Sequence, residues 1–214
     1  MALSIFDFPH TPFDAETIAA WCDIPTAIVS DELNRSGALT AEIKPLNPNW
    51  SMVGPAMTVR TMAADNLAIH HAIALAPKGI VLVIDAGGYL RNAVWGGILH
   101  YAAELRGIAG IVVDGSIRDA AVLRNSSLPC FARGIVPAGP HKAWGGEINS
   151  PIQAGGCAVH PGDLMIGDAD GVVVVPAAGA SELLAKCRKR IDDERGVIQR
   201  LKDGETTVSI MGLG

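Results

Sequence analysis

The sequence predicts an α/β fold with a parallel βαβαβ core, short C-terminal strands and a long final helix. Three observations predict it. Ile80-Val81-Leu82-Val83-Ile84 and Ile108–Val113 are continuous apolar, β-branched runs, the pattern of strands covered on both faces, and Cys130-Phe131-Ala132 is a weaker third. Helical patterns over Ala93–Leu105 and Asp119–Arg124 lie between them. Strands alternating with helices in this way pair in parallel through right-handed crossovers.

The chain opens with two helical patterns within residues 14–36. Asp14 is placed to cap a helix running to about Trp21, and Pro25-Thr26 opens a second over Ala27–Ser36, stopped by Gly37. Ile28, Val29 and Leu33 give the second an apolar face, which leaves Asp31 and Glu32 to solvent. Pro45 to Pro55 reads as loop and Ala56–Thr61 alternates as a strand. Asn66–Ala76 is helical with Asp65 as its cap, and it carries His70-His71. Neighbours on a helix point about 100° apart, so these two cannot both line one site, and each reads as a structural or surface histidine.

Pro137 to Pro151 reads as a long Gly- and Pro-rich loop. Short strands follow at Cys157–Val159, Asp163–Gly167 and Val172–Val175, joined by the turn sequences HPGD and DADG. The turns account for Asp163, Asp168 and Asp170 better than a metal site does. A final helix spans about 177–203, and Thr206–Gly214 reads as a short tail.

Composition excludes several classes. The chain has 214 residues, 49% hydrophobic and 18% charged, enough for one domain (1–214) with a sizeable core. Aromatics are only 5%, so that core is aliphatic and alanine-rich. A net charge of −5 without a basic run disfavours a nucleic-acid partner. No apolar run has the length of a bilayer span, and the N-terminal stretch lacks the pattern of a signal peptide. Cys22, Cys130, Cys157 and Cys187 are scattered without CxxC spacing, which argues against a zinc site and for a cytoplasmic chain with reduced thiols.

Two loops at the carboxyl ends of the expected parallel strands carry the chemistry, since open α/β sheets place ligands there. Trp95-Gly96-Gly97 opens a helix, whose free N–H groups favour an anion. The stretch is not GxGxxG, which argues against a nicotinamide or methyl-donor site. Gly115-Ser116-Ile117-Arg118-Asp119 sets a guanidinium beside a carboxylate. Arg118 matches the carboxylate of a 2-oxo acid, and Asp119 offers hard oxygen ligands to Mg²⁺ or Mn²⁺.

The set VSDEL, ADN, DAGG, WGGIL, RGIAGIVVDGSIRD, FARG and GGCAVHPGDLMIGDADGVVVVP, over roughly Thr26 to Pro176, resembles the family that holds regulator of ribonuclease activity A and the class II 4-hydroxy-4-methyl-2-oxoglutarate (4-carboxy-4-hydroxy-2-oxoadipate) aldolases. The resemblance implies a swivelling β/β/α-type domain, assembled as a homotrimer or homohexamer with sites between subunits. It also implies a divalent-metal-dependent lyase that releases pyruvate from a small 2-oxo acid, with oxaloacetate decarboxylation as a side activity. On this likeness Arg118 binds the substrate carboxylate, the Gly96, Gly97, Ile98 and Leu99 backbone binds the pyruvyl carboxylate, and Asp119 holds the metal. Asn66 lies near the pocket, and Glu194, from a neighbouring subunit, acts on water at the metal.

One departure stands out. The aldolases carry an aspartate, twenty residues, then Arg-Asp; counting back from Arg118 gives Gly97. Asp85, at a neighbouring strand end, is the carboxylate that could stand in, whereas Glu104 lies too far along the helix. The missing carboxylate keeps two other readings open: a non-catalytic, protein-binding regulator, and an enzyme whose substrate fills the space at Gly97.

Overall fold

The computed structural model describes residues 2–11 and 13–214. In chain order these form β1 (Leu3–Ile5), α1 (Ala15–Trp21), α2 (Thr26–Glu32), β2 (Lys44–Pro45), β3 (Met52–Thr61), α3 (Leu67–Leu75), β4 (Val81–Asp85) and β5 (Ala93–Trp95). Then come α4 (Gly97–Leu105), β6 (Gly110–Ile117), α5 (Ala120–Arg124), β7 (Cys130–Ile135), β8 (Gly146–Ile148), β9 (Ile152–Ala154) and β10 (Cys157–Val159). β11 (Leu164–Asp168), β12 (Gly171–Val175), α6 (Ala180–Lys202) and α7 (Thr207–Met211) complete the chain.

The expected parallel core is present. β3, β4, β6 and β7 are successive parallel neighbours, with α3 and α4 as crossovers and antiparallel β8 and β2 beside β3 and β7. Alternation along these strands sorts the core into layers. Leu82, Ile84, Ile111 and Val113 face α3 and α4, against Ile69, Ile73, Leu99 and Ala103. Val81, Val83 and Val112 face the other way, against Ile152, Val159, Val172 and Val174. The far side of β11 and β12, through Leu164, Ile166, Val173 and Val175, is closed by Trp21, Ile28, Leu183 and Cys187 of the helices.

Several boundaries differ from the sequence reading, each for a local reason. α2 ends at Glu32 rather than Ser36, because Asn34 and Arg35 take left-handed conformations. Part of the expected loop Pro45–Pro55 is strand: Met52–Pro55 pairs with β11, and the following residues pair with β4, so β3 runs through both layers. The expected helix Ala93–Leu105 begins only at Gly97, because Ala93 and Trp95 pair with Ser116 and Ile117. The loop expected over Pro137–Pro151 contains β8, and the tail contains α7. α6 starts at Ala180, after Gly179 with φ 90°. Among the described residues no helix is long and apolar enough to cross a membrane.

Two of the turn aspartates hold local structure. Asp163 accepts from His160 N (2.8 Å) and Ala177 N (3.1 Å), and Asp168 accepts from Thr26 N (2.8 Å) and Thr26 Oγ1 (2.7 Å), which ties α2 to the end of β11.

Candidate active site

A small pocket, open to solvent, lies where β5 and β6 end. Its lining includes Asn66, Gly96, Gly97, Ile98, Leu99, Arg118 and Asp119. The two glycine-containing loops therefore meet. Arg118 N donates to Trp95 O (2.9 Å), and Gly97 N donates to Asp119 Oδ2 (2.8 Å). Trp95 is buried and fixed by its indole N–H, which donates to His100 Nδ1 at 3.3 Å.

Gly96 is extended and serves as the N-cap of α4. Helix starts leave their first N–H groups without intrahelical partners. Asp119 takes that of Gly97, and those of Ile98 and Leu99 are left for an anion, at the positive end of the helix dipole. Glycine is needed at position 96 for space: a Cβ there would lie 2.8 Å from Asp119 Oδ2 and 3.0 Å from Arg118 Cγ. Across the pocket a Cβ on Gly139 would lie 2.5 Å from Arg118 Nη1, so the guanidinium passes between two bare backbones.

Asp119 adopts φ 58°, ψ 33°, a left-handed conformation that aspartate tolerates better than most residues. Such conformations cost about 1–3 kcal/mol and gather at functional sites. Arg118 Nε lies 3.8 Å from Asp119 Oδ2, and both side chains are partly exposed. This is a surface-type pair, so its worth lies in what it presents to a ligand rather than in stability.

Asn66 is 4% exposed. Its Nδ2 donates to Val94 O (3.2 Å), while its buried Oδ1 has no partner in the structure. A buried amide oxygen left unpaired costs free energy, and a donor on a bound molecule would relieve that cost.

The structure adds lining residues that the sequence reading missed: His70, Pro140 and Lys142. His70 is one helical turn beyond Asn66 and faces the same space, while His71 is exposed. The 100° separation of helix neighbours holds here: one histidine of the pair lines the pocket and the other does not. Pro140 and Lys142 belong to a loop without motif character, held by contacts distant in sequence. His141 N donates to Ala64 O (2.7 Å) and Asn66 N to His141 O (3.1 Å). Fully buried Asp65 accepts from Leu67 N (2.9 Å), Ala143 N (2.8 Å) and Trp144 N (3.2 Å).

The expected helix Asn66–Ala76 capped by Asp65 is corrected: α3 has Asn66 as its N-cap, with no side-chain cap bond, and Asp65 instead clips the Lys142 loop to the pocket. Asp65→Ala would leave three amides without their acceptor. Such charge-assisted bonds contribute about 1.5–3 kcal/mol each, with strong overlap among three on one carboxylate. We expect a loss of about 3–5 kcal/mol, read as a lowered urea midpoint followed by tryptophan fluorescence; an unchanged midpoint would refute the clip.

Two other carboxylates are placed elsewhere. Asp85 does not substitute at Gly97. It continues the Val81, Val83 face, opposite α4, where it accepts from Gly87 N (2.9 Å) and lines a separate cleft with Asp114 and Arg133. Glu104 is bound to Ser127 Oγ (2.6 Å). Glu194 is outside this pocket within one chain: it accepts from Arg190 Nε at 3.1 Å on exposed α6.

Among the described residues no three His, Cys, Asp or Glu side chains are grouped to hold a metal ion. The donor set is one partly exposed carboxylate, Asp119, beside open space at Gly97. This fits a hard, hydrated cation such as Mg²⁺, which keeps several waters and uses one or two carboxylates plus substrate oxygens. It does not fit zinc, which needs three or four side-chain ligands.

The chain is similar to several known proteins. A family model named RraA-like and described as Aldolase/RraA matches residues 26–174. A relative from Halalkalibacterium halodurans, named "Putative 4-hydroxy-4-methyl-2-oxoglutarate aldolase", is 41% identical over 190 residues, covering 89% of this chain and 90% of its own. A solved structure of an uncharacterized protein from Pseudomonas syringae pv. tomato superposes with TM-score 0.79 at 30% identity, over 92% of this chain and 97% of that one. Streptomyces coelicolor RraAS2, described as an unusual member of the RNase ES inhibitor RraA family, superposes with TM-score 0.78 at 28% identity, covering 87% and 98%.

Proposed function

The chain belongs to the RraA-like family of aldolases and RraA proteins, and from that premise we propose that it is a divalent-metal-dependent class II lyase that releases pyruvate from a 4-hydroxy-2-oxo acid. One observation carries the reading: Arg118, Asp119 and the start of α4 converge on one pocket beside an unpaired buried amide oxygen.

Arg118 and the N–H groups of Ile98 and Leu99 would hold the substrate carboxylate, the guanidinium as a planar fork and the helix start as a cradle. Asp119, kept in place by the Gly97 N–H, would hold Mg²⁺ or Mn²⁺. A metal there supplies Lewis acidity toward the keto oxygen, where negative charge develops as the carbon–carbon bond breaks. Arg118 adds fixed positive charge on the same side, in place before the reaction starts. Asn66 would position the substrate through its free Oδ1. Loss of CO₂ from oxaloacetate gives the same pyruvate enolate, so oxaloacetate decarboxylation is the expected side activity.

The site would be shared between copies of the chain. Ile98, Tyr101 and Leu105 form an exposed apolar stripe on α4 beside the pocket, with Val122 next to it, and the end of α6 and α7 exposes Ile198, Val208 and Met211. Stripes of this kind mark interaction surfaces. A homotrimer or homohexamer that covers them could bring Glu194 of a second copy to the pocket mouth.

The test is release of pyruvate from 4-carboxy-4-hydroxy-2-oxoadipate and from oxaloacetate, with Mg²⁺ and after chelation. Metal-dependent turnover of either supports the lyase. No turnover of either in the presence of metal overturns it. The second reading, a binding protein without catalysis, is favoured by one observation, the missing carboxylate at Gly97, and would then be tested by capture of a ribonuclease partner.

A further inference from the structure

Trp95 lines the pocket and runs directly into the anion cradle at the start of α4. Its indole N–H donates to His100 Nδ1 at 3.3 Å, and the two buried rings meet edge to face at 81°. An indole N–H only donates, so Nδ1 must present a lone pair. The ring proton of His100 is thereby fixed on Nε2, which donates to Ser126 Oγ at 2.5 Å. Ser126 Oγ also accepts from Leu128 N at 3.1 Å. The main chain closes the same unit: His100 N donates to Gly96 O (3.0 Å) and Arg118 N to Trp95 O (2.9 Å). The turn that holds the Ile98 and Leu99 N–H groups is thus stapled to Trp95 and, through His100, to the connection between α5 and β7.

We propose that neutral His100 is the positioning residue of this site: its Nδ1 lone pair holds Trp95 and the cradle in place, and a proton on Nδ1 releases them, so that carboxylate binding is lost in acid. The proposal rests on the reading of Arg118 and the start of α4 as the carboxylate site. The protonated ring would set two N–H donors against each other in a buried space, where neither has a second acceptor. The indole cannot turn away without drawing on Gly96, whose carbonyl anchors the first turn of α4.

Burial lowers the His100 pKa from the ordinary 6.5, and the Glu104 carboxylate on the same helix works against this. Glu104 is itself bound to Ser127 Oγ at 2.6 Å. The other charged or titratable groups of the surrounding elements are turned elsewhere. Arg118 and Asp119 of the β6–α5 turn and His70 of α3 line the pocket, while His71 is exposed. Arg124 of α5 donates to Leu46 O, Arg106 after α4 donates to Ala74 O, and Asp114 of β6 pairs with Arg133 of β7. The ring is therefore neutral at pH 7 and becomes charged only as the pH falls through a value below 6.5. Apparent affinity scales with the competent fraction, so it should fall toward about tenfold per pH unit beneath that value.

Oxalate, titrated calorimetrically in the presence of Mg²⁺ from about pH 5 to 8, the range in which histidine switches, reads the site without turnover. The native protein should bind with constant affinity near neutrality and lose it in acid. In the protein without oxalate, the Trp95 indole resonance and the His100 ring nitrogens should titrate by NMR with the midpoint of that loss, and Nδ1 should be the unprotonated nitrogen at pH 7. His100→Asn keeps an acceptor beside the indole but takes no proton. It should bind as the native protein does at pH 7 and hold its affinity in acid. His100→Leu removes the acceptor and should bind at least about tenfold more weakly at every pH.

Native affinity that stays level through the indole transition would overturn this role and leave the lyase reading intact. An acid loss that persists unchanged in His100→Asn would do the same, placing it on another group. If His100→Asn does not fold, the two native midpoints decide: coincidence is the expected result and separation overturns it. No oxalate binding by the native protein at any pH would overturn the carboxylate site and this inference together.

Discussion

Asp119→Asn is expected to lower metal-dependent pyruvate release by about 10²–10³-fold, the scale on which losing one preorganised charge-stabilising group acts, while the melting temperature stays close to native. The choice of asparagine follows from the backbone. Position 119 is left-handed at φ 58°, which asparagine tolerates as aspartate does. The amide oxygen of the introduced asparagine can still accept the Gly97 N–H, now spanned at 2.8 Å by the carboxylate. Only the negative charge is removed. Asp119→Ala loses the acceptor as well and places an alanine in a left-handed conformation, at a cost of about 1–2 kcal/mol. It should therefore be both inactive and less stable. Comparing the two separates charge from architecture. Full activity in Asp119→Asn would refute a metal at this carboxylate.

The second large effect is a gain. Gly97→Asp is expected to tighten Mg²⁺ binding about 10–100-fold, the usual scale for a supporting carboxylate at a metal site. The space exists: a Cβ at position 97 would lie 3.5 Å from Asp119 Oδ2 and 3.7 Å from Val122 Cγ1, ordinary contact distances. The residue sits in the first turn of α4, where the dipole favours a carboxylate by about 0.3–1 kcal/mol. Without metal the new carboxylate faces Asp119 and repels it. Mg²⁺ should thus raise the melting temperature of Gly97→Asp far more than that of the native protein, by mass action on the folded state. Isothermal titration with Mg²⁺ checks the affinity directly, and an unchanged affinity would remove the metal from this pocket. If pyruvate release rises with affinity, Gly97 has weakened an aldolase. If affinity rises and release does not, the native substrate brings its own group to that space.

Much of the site was legible from its local chemistry. Gly96, Gly97, Arg118 and Asp119 were readable because helix starts and strand-end loops have short-range signals: glycine after an apolar run, and a cation beside a carboxylate before a helix. The structure brings these residues into one pocket with Asn66, Ile98 and Leu99. Lys142 was not legible. It reaches the pocket only because Asp65, far earlier in the chain, binds the amides of the loop that carries it. His70 was visible but ambiguous, since an apolar helix gives no sign of which side meets a cavity. Ala93–Trp95 misled for a related reason. Its composition suits helix or strand, and pairing with β6 decided for strand.

The sequence by itself determined the strand and helix alternation, because periods of about 2.0 and 3.6 residues are properties of the chain at short range. It therefore determined the parallel core and the composition of the two loops that the core brings to its edge. Only the tertiary structure decided which residues from distant segments close the pocket. It turned Asp85 to the opposite face of the sheet, set Glu194 outside the pocket within one chain, and left the oxygen of Asn66 and the nitrogen of His70 buried without partners. The reason is physical: facing direction, burial and unmet hydrogen bonds depend on register and packing between residues far apart in the chain, which no local pattern encodes.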